Sequence, residues 1–240
     1  MSVALTLREI GTMRQTGSFC NQRTTAYAPC MDFEPLSLTE RRKRDTQLEI
    51  ARTAARLFAD RGADGVTAEE IARQAGVSIR TFYRYFSAKE DAVAPLLTIG
   101  ADQWHALVAA ADPSEDIIVA LERTISAVLT PRSEEEIEGL RWTLGLLHSS
   151  TSDVPLQHVW HRVNSDSEVQ LRLVLGPIMR SETTSLTLRC LAAAATSAVR
   201  IALETSAESD RELHDPSALA TQASLAFRQL SAGLDLGQRR

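Results

Sequence analysis

Between residues 78 and 89 the chain places two arginines (Arg80, Arg84), three hydroxyl residues (Ser78, Thr81, Ser87), two tyrosines (Tyr83, Tyr85) and one lysine (Lys89) within about three helical turns. Guanidinium groups pair in bidentate fashion with guanine edges, while hydroxyls and an ammonium suit phosphate oxygens. A second cluster, Arg41-Arg42-Lys43-Arg44, sets four adjacent cations at the start of a helix, where they oppose the helix dipole. Such a run tracks a phosphate backbone or reaches into a minor groove; the alternative is a solvated helix start. The chemistry on offer is contact with a nucleic acid.

These groups must be positioned by helices. From Thr39 onward helix signals repeat without a convincing strand, so the expected fold class is all-α. A first helix spans about 39–60, with Ile50, Ala54, Leu57 and Phe58 on one face and Gly62 at its end. Thr67 and Glu70 form a capping box for a second helix reaching residue 75. Gly76-Val77 is a tight turn, and Ser78 caps a third helix ending near 86. On that helix Phe82 and Phe86 face the core, which leaves Arg80 and Arg84 opposite and Thr81, Tyr85 and Tyr83 on the flanks. Two short helices joined by such a turn are a helix-turn-helix, whose second helix enters the major groove of B-DNA. Six further helices are expected near 87–110, 114–129, 134–149, 154–176, 184–206 and 216–233. Pro95 should kink or break the fourth, and Pro177 should end the seventh.

The net charge of −5 hides a reversal along the 240 residues. Residues 41–91 carry 11 basic and 8 acidic side chains (+3), whereas residues 92–240 carry 12 and 19 (−7). One small region therefore suits a polyanion and the rest does not. The content of 44% hydrophobic and 24% charged residues argues against disordered, collagenous and disulfide-stapled classes. The longest uncharged apolar stretch, 190–199, is about half the ~20 residues that a membrane span requires, so no membrane partner is expected. Cys20, Cys30 and Cys190 form no CxxC pair, and a reducing cytoplasm is the expected compartment. The expected organisation is a disordered arm at 1–37, with Met31 as a possible translation start, a DNA-binding domain at 38–92, and a helical domain at 93–240.

The string Gly65-Val66-Thr67, Ile71-Ala72, Ala75-Gly76-Val77-Ser78, Thr81, Tyr83, Tyr85-Phe86 and Lys89-Glu90 resembles the TetR family of bacterial transcriptional regulators over about residues 45–92. The resemblance implies a dimeric, all-helical regulator, with three N-terminal helices on DNA and the remainder binding a ligand and a second subunit. It implies phosphate contacts from Thr67, Thr81, Tyr83, Tyr85 and Lys89, with base or backbone contacts from Arg80 and Arg84. Ile79 is a departure, since it can meet a thymine methyl but cannot hydrogen-bond. Structural alternatives stand beside these roles: Thr67 and Ser78 as caps alone, Tyr83 as a partner of Phe82 and Phe86, and Lys89 as a surface residue.

In the larger region Trp104, Trp142, Leu146, Trp160 and Met179 are candidate walls of an apolar cavity for an unknown small-molecule effector, the alternative being ordinary core packing. His158 and His161, with His148 as a more distant third, lack diagnostic ligand spacing, so neither a metal nor a cofactor is expected. The last two helices, with small residues at 190–195, Ala198 and Ala202 followed by Leu219, Ala223, Phe227 and Leu230, suit a four-helix homodimer seam. No GxSxG elbow, P-loop, GxGxxG or HExxH is present, so an enzyme is not expected. The favoured function is a repressor that leaves a palindromic operator when an apolar ligand binds; a regulator without a ligand, or an activator, is the alternative, and a helical enzyme the remote one.

Overall fold

Ser37 starts the first helix one residue earlier than its apolar pattern predicts, because it forms a reciprocal cap with Glu40. The Glu40 N–H donates to Ser37 Oγ at 3.2 Å, and the Ser37 N–H donates to the Glu40 carboxylate at 2.9 Å. The computed structural model describes residues 37–179, 184–209 and 216–234, and among them every regular element is helical. Of the arm expected at 1–37, residues 1–36 and with them the start at Met31 lie outside the described residues, while Ser37 caps α1.

Helix α1 (Leu38–Arg61) ends at Gly62, whose φ of 72° lies in the left-handed region open to glycine. Helices α2 (Ala68–Gln74) and α3 (Ile79–Tyr85) then form the helix-turn-helix. Their turn is a Schellman closure: the Gly76 N–H donates to the Arg73 carbonyl at 3.3 Å and the Val77 N–H to the Ala72 carbonyl at 2.9 Å. Gly76 sits at φ 69°, which supplies the reversal. Thr67 caps α2 and Ser78 caps α3, accepting from the N–H groups of Glu70 and Thr81.

Two further helix starts differ from expectation. Ser87 does not open the fourth helix; a single 3-10 turn at Glu90–Val93 comes first and α4 runs Ala94–Ala109. A continuous helix from 87 would bury Pro95 in its interior, where proline lacks an N–H and clashes with the preceding turn; here it lies in the first turn. Helix α5 (Ile117–Val128) is capped by Asp116 rather than Asp112, whose carboxylate instead holds the Ser114 N–H and hydroxyl, both at 2.8 Å, in a preceding turn. In α6 (Glu134–Ser150) Ser133 caps as expected, but Glu136 reaches past it to the Arg132 N–H at 2.6 Å.

Helix α7 (Val154–Ile178) carries Pro177 in its last turn and stops one residue beyond it. Helices α8 (Ser185–Glu208) and α9 (Pro216–Ser231) complete the fold. The small-residue stripe of α8 does not face outward as a seam: Leu191, Ala192, Ala195 and Ala198 are fully buried within the chain, where α8 packs on α6, α7 and α9. Small side chains let these backbones approach, so the stripe serves the interior. By length and composition alone α8 could cross a membrane, a property its apolar core face explains. Ile50, Phe58, Ile71 and Phe82 of the first three helices join the same core as Leu121, Leu171, Leu191 and Phe227. Ala92 and Val93 are buried in it too, so packing continues across the expected domain boundary.

An alanine at Gly76 meets no neighbouring atom but must hold a positive φ. Gly76→Ala is expected to lower unfolding free energy by about 1–2 kcal/mol in urea denaturation followed by circular dichroism.

Candidate nucleic-acid interface and cavity

Helix α3 turns Phe82 and the following Phe86 into the core, with ring centroids 5.5 Å apart, and this fixes which side chains look outward. Ile79, Arg80, Tyr83 and Arg84 are exposed, on one face at i, i+1, i+4 and i+5. Tyr83 satisfies both readings of the sequence: its ring meets Phe82 edge-on at 5.5 Å, yet the residue remains 54% exposed. Thr81 and Tyr85 are only partly exposed. The Thr81 and Ser78 hydroxyls bond each other at 2.9 Å. Arg84 lies over the Tyr85 ring, 4.9 Å from its centroid, and donates to its hydroxyl at 3.2 Å.

One sequence-chosen cation occupies another place than a free phosphate contact requires. Lys89 Nζ donates to the Ala63 carbonyl at 2.7 Å and the Val66 carbonyl at 3.0 Å, with Glu90 at 3.7 Å. It therefore clamps the segment leaving α3 onto the α1–α2 loop. Arg44 contacts Asp102 of α4 at 3.4 Å and is exposed, as are Arg41, Arg42 and Lys43. Thr67, the α2 cap, is exposed. Arg61 ties α1 to α2 through Glu70 at 2.8 Å, and this hydrogen bond holds the Glu70 carboxyl below its ordinary pKa.

The loop after α3 is also joined to the larger region. The Asp91 carboxylate accepts from the Ala88 N–H through one oxygen at 3.1 Å and from Arg162 of α7 through the other at 2.6 Å. Nothing in the sequence pairs residues 71 positions apart, and the sequence reading missed both Arg162 and Asp91.

A cavity of about 730 Å³ is walled by α4, α5, α6, α7 and α8. Trp104 and Trp160 line it; Trp142, Leu146 and Met179 do not. Leu146 is buried core, Met179 lies beyond the end of α7, and the Trp142 indole donates to Glu138 at 3.3 Å along its own helix. Helical phase explains the error: residue type marks an apolar side chain, but only packing decides whether it borders space or another side chain. The lining residues missed by sequence include Asn164, Ser167 and Thr196. His105 Nε2 and Ser167 Oγ lie 3.1 Å apart, and burial lowers the imidazole pKa against the opposing charge of Asp102. His158 and His161 are exposed on α7. Among the described residues no group of three or more His, Cys, Asp or Glu side chains could hold a metal ion.

Residues 50–94 match the model of the bacterial regulatory proteins of the tetR family. The HTH-type transcriptional regulator TcmR of Streptomyces glaucescens is 32% identical over 112 residues, which are 46% of this chain and 48% of that protein. The match thus spans about half the length of this curated relative. Among solved structures, one from Syntrophomonas wolfei described as a TetR-family transcriptional regulator superposes with a TM-score of 0.54 at 15% identity, covering 80% of this chain and 97% of that one. One from Mesorhizobium loti gives 0.48 at 19%, over 80% and 97%.

Two outcomes are expected. Lys89→Met leaves two carbonyls without their charged donor, and should lower unfolding free energy by about 1.5–3 kcal/mol in urea titration. His105 has a folded pKa below its ordinary 6.5, so the unfolded chain takes up the proton first. Its stabilisation is complete above about pH 6.5 and is lost as pH falls through the folded value; His105→Gln should flatten that part of a melting-temperature profile measured from pH 7.5 to 5.

Proposed function

We propose that this chain, whose residues 50–94 match the model of the bacterial regulatory proteins of the tetR family, is a transcriptional regulator, a homodimer that binds a palindromic operator and is released from it by a small apolar ligand. The observation that carries this reading lies within one turn of α7. Trp160, Val163 and Asn164 line the cavity, while Arg162 between them holds Asp91 at 2.6 Å. A ligand that shifts this turn acts on the carboxylate that also fixes the loop after α3.

In this reading α3 enters the major groove, with Arg80 and Arg84 toward base edges and Tyr83, Thr67 and Ser78 beside the phosphates. Arg41, Arg42 and Lys43 follow the backbone or the adjacent minor groove. Ile79, 37% exposed, offers an apolar contact to a thymine methyl. Lys89 acts through the loop that it clamps rather than on a phosphate.

The second subunit joins along the outward faces of α8 and α9. Leu186 is 70% and Leu225 is 55% exposed, and Ile201 shares the outward stripe of α8. Two reading heads then stand about one helical turn apart, roughly 34–36 Å, as successive major grooves require. A ligand that prefers another spacing shifts the population off DNA, by no more than its differential affinity for the two states. Such a regulator works in the cytoplasm without a cofactor.

An operator selected from random duplexes tests this reading by fluorescence anisotropy. Arg80→Ala, or Tyr83→Phe, which keeps the ring against Phe82, should weaken binding by about 1–3 kcal/mol at fixed salt with the melting temperature unchanged. For the wild type, log affinity should fall with log salt at about −0.9 per phosphate contacted; a flat response would overturn the assignment. Arg162→Ala should lower operator affinity of the ligand-free protein while helical content, read by circular dichroism, stays the same.

A further inference from the structure

The two tyrosines of α3 stand in different surroundings. Tyr83 is 54% exposed. Tyr85 is partly buried and packs against the core, its ring edge-on to that of Phe86 with 6.4 Å between centroids. A phenol ring seated on the core in this way keeps its direction before any partner arrives, while its hydroxyl stays available for a polar contact.

That contact is Arg84. The side chain is exposed, yet its guanidinium carbon lies 4.9 Å from the Tyr85 ring centroid and Nη2 donates to the Tyr85 hydroxyl at 3.2 Å. Stack and hydrogen bond act on the same guanidinium, and together they restrain a long side chain that would otherwise sample many rotamers in water.

The partner is also neutral. Arg44 and Arg61 meet carboxylates, Asp102 at 3.4 Å and Glu70 at 2.8 Å, so a nucleic acid approaching either one competes with an acid. A phenol hydroxyl holds Arg84 without cancelling its charge. Most donors of the planar fork stay free as well, which leaves room for a bidentate pair with a base edge.

We propose that Tyr85 is a positioning residue for base recognition, which aims the Arg84 guanidinium at one base pair and acts on the operator through Arg84 rather than through a phosphate contact of its own. This rests on α3 being the reading helix, and adds to it which member of the pair reads and which one aims. Arg84 then enters the groove with part of its ordering already done by the fold. A fixed guanidinium meets one base edge in bidentate geometry, whereas a mobile one adapts to several, so the restraint favours selectivity as well as affinity.

The test titrates the full chain, by fluorescence anisotropy at fixed salt, against duplexes that carry each single base-pair change in the selected operator. Arg84→Ala should abolish discrimination at one base pair, which identifies what Arg84 reads. Tyr85→Phe keeps the ring and the stack but lacks the hydroxyl. It should weaken binding to the selected operator about two- to tenfold, the ordering cost of one long side chain, and should reduce discrimination at that same base pair and at no other. In the Arg84→Ala background the tyrosine change should have no further effect. A loss of equal size with and without Arg84, spread evenly over all duplexes, marks a direct phosphate contact and overturns the proposal. Unchanged binding by Tyr85→Phe overturns it too, as do Arg84→Ala base preferences equal to those of wild type, or a Tyr85→Phe loss of discrimination at every position together with a lowered melting temperature. If no duplex is selected from a random pool, the reading of α3 fails and the proposal falls with it; a selected operator on which positions 84 and 85 act independently overturns the positioning role alone.

Discussion

The Asp91 carboxylate is the constraint on which the relation between the two halves of the fold depends. One of its oxygens holds the backbone just beyond α3, and the other holds a guanidinium on α7. Such a pair is partly exposed, so its contribution to global stability is small. Its geometric consequence is larger, because two elements far apart in sequence share one rigid group. The direction of the outward face of α3 is thus tied to a helix whose neighbouring residues border the cavity.

A second layer of ties keeps the reading head itself in shape. Lys89 grips two carbonyls of the α1–α2 loop, Arg61 grips Glu70, and the Schellman turn at Gly76 sets the angle between α2 and α3. The aromatic pair Phe82 and Phe86 supplies the apolar anchor, and its burial leaves Arg80, Tyr83 and Arg84 on the surface. Lysine at position 89 therefore does structural work close to a surface whose other cations remain accessible. Residue type and position along the chain suggested phosphate contact; the carbonyls that fill its donors come from a loop more than twenty residues away.

Helix α8 illustrates how one sequence pattern serves two purposes at once. Its alanines permit close packing inside the chain, while Leu186 and Ile201 remain outside. The composition is apolar enough for a membrane span, for a core helix and for a subunit seam, and only the neighbours separate these. Thr196 lies on the same helix among the residues that line the cavity, and its buried hydroxyl oxygen has no hydrogen-bond partner in the protein.

Local chemistry was legible from the residues alone. The all-α class, the caps at Thr67, Ser78 and Ser133, the glycines at 62 and 76 and the burial of Phe82 and Phe86 all follow from interactions within four or five positions, and these survive into the fold. Competition between nearby signals was harder to judge: Asp116 took the cap expected from Asp112, and Pro95 moved the start of α4 past Ser87. The cavity, the inward turn of the α8 stripe, the engagement of Lys89 and the Asp91–Arg162 tie were decided by tertiary structure. Each joins groups from elements distant in the chain, and whether an apolar or polar side chain meets another atom or empty space depends on how helices pack, which no spacing along one helix encodes.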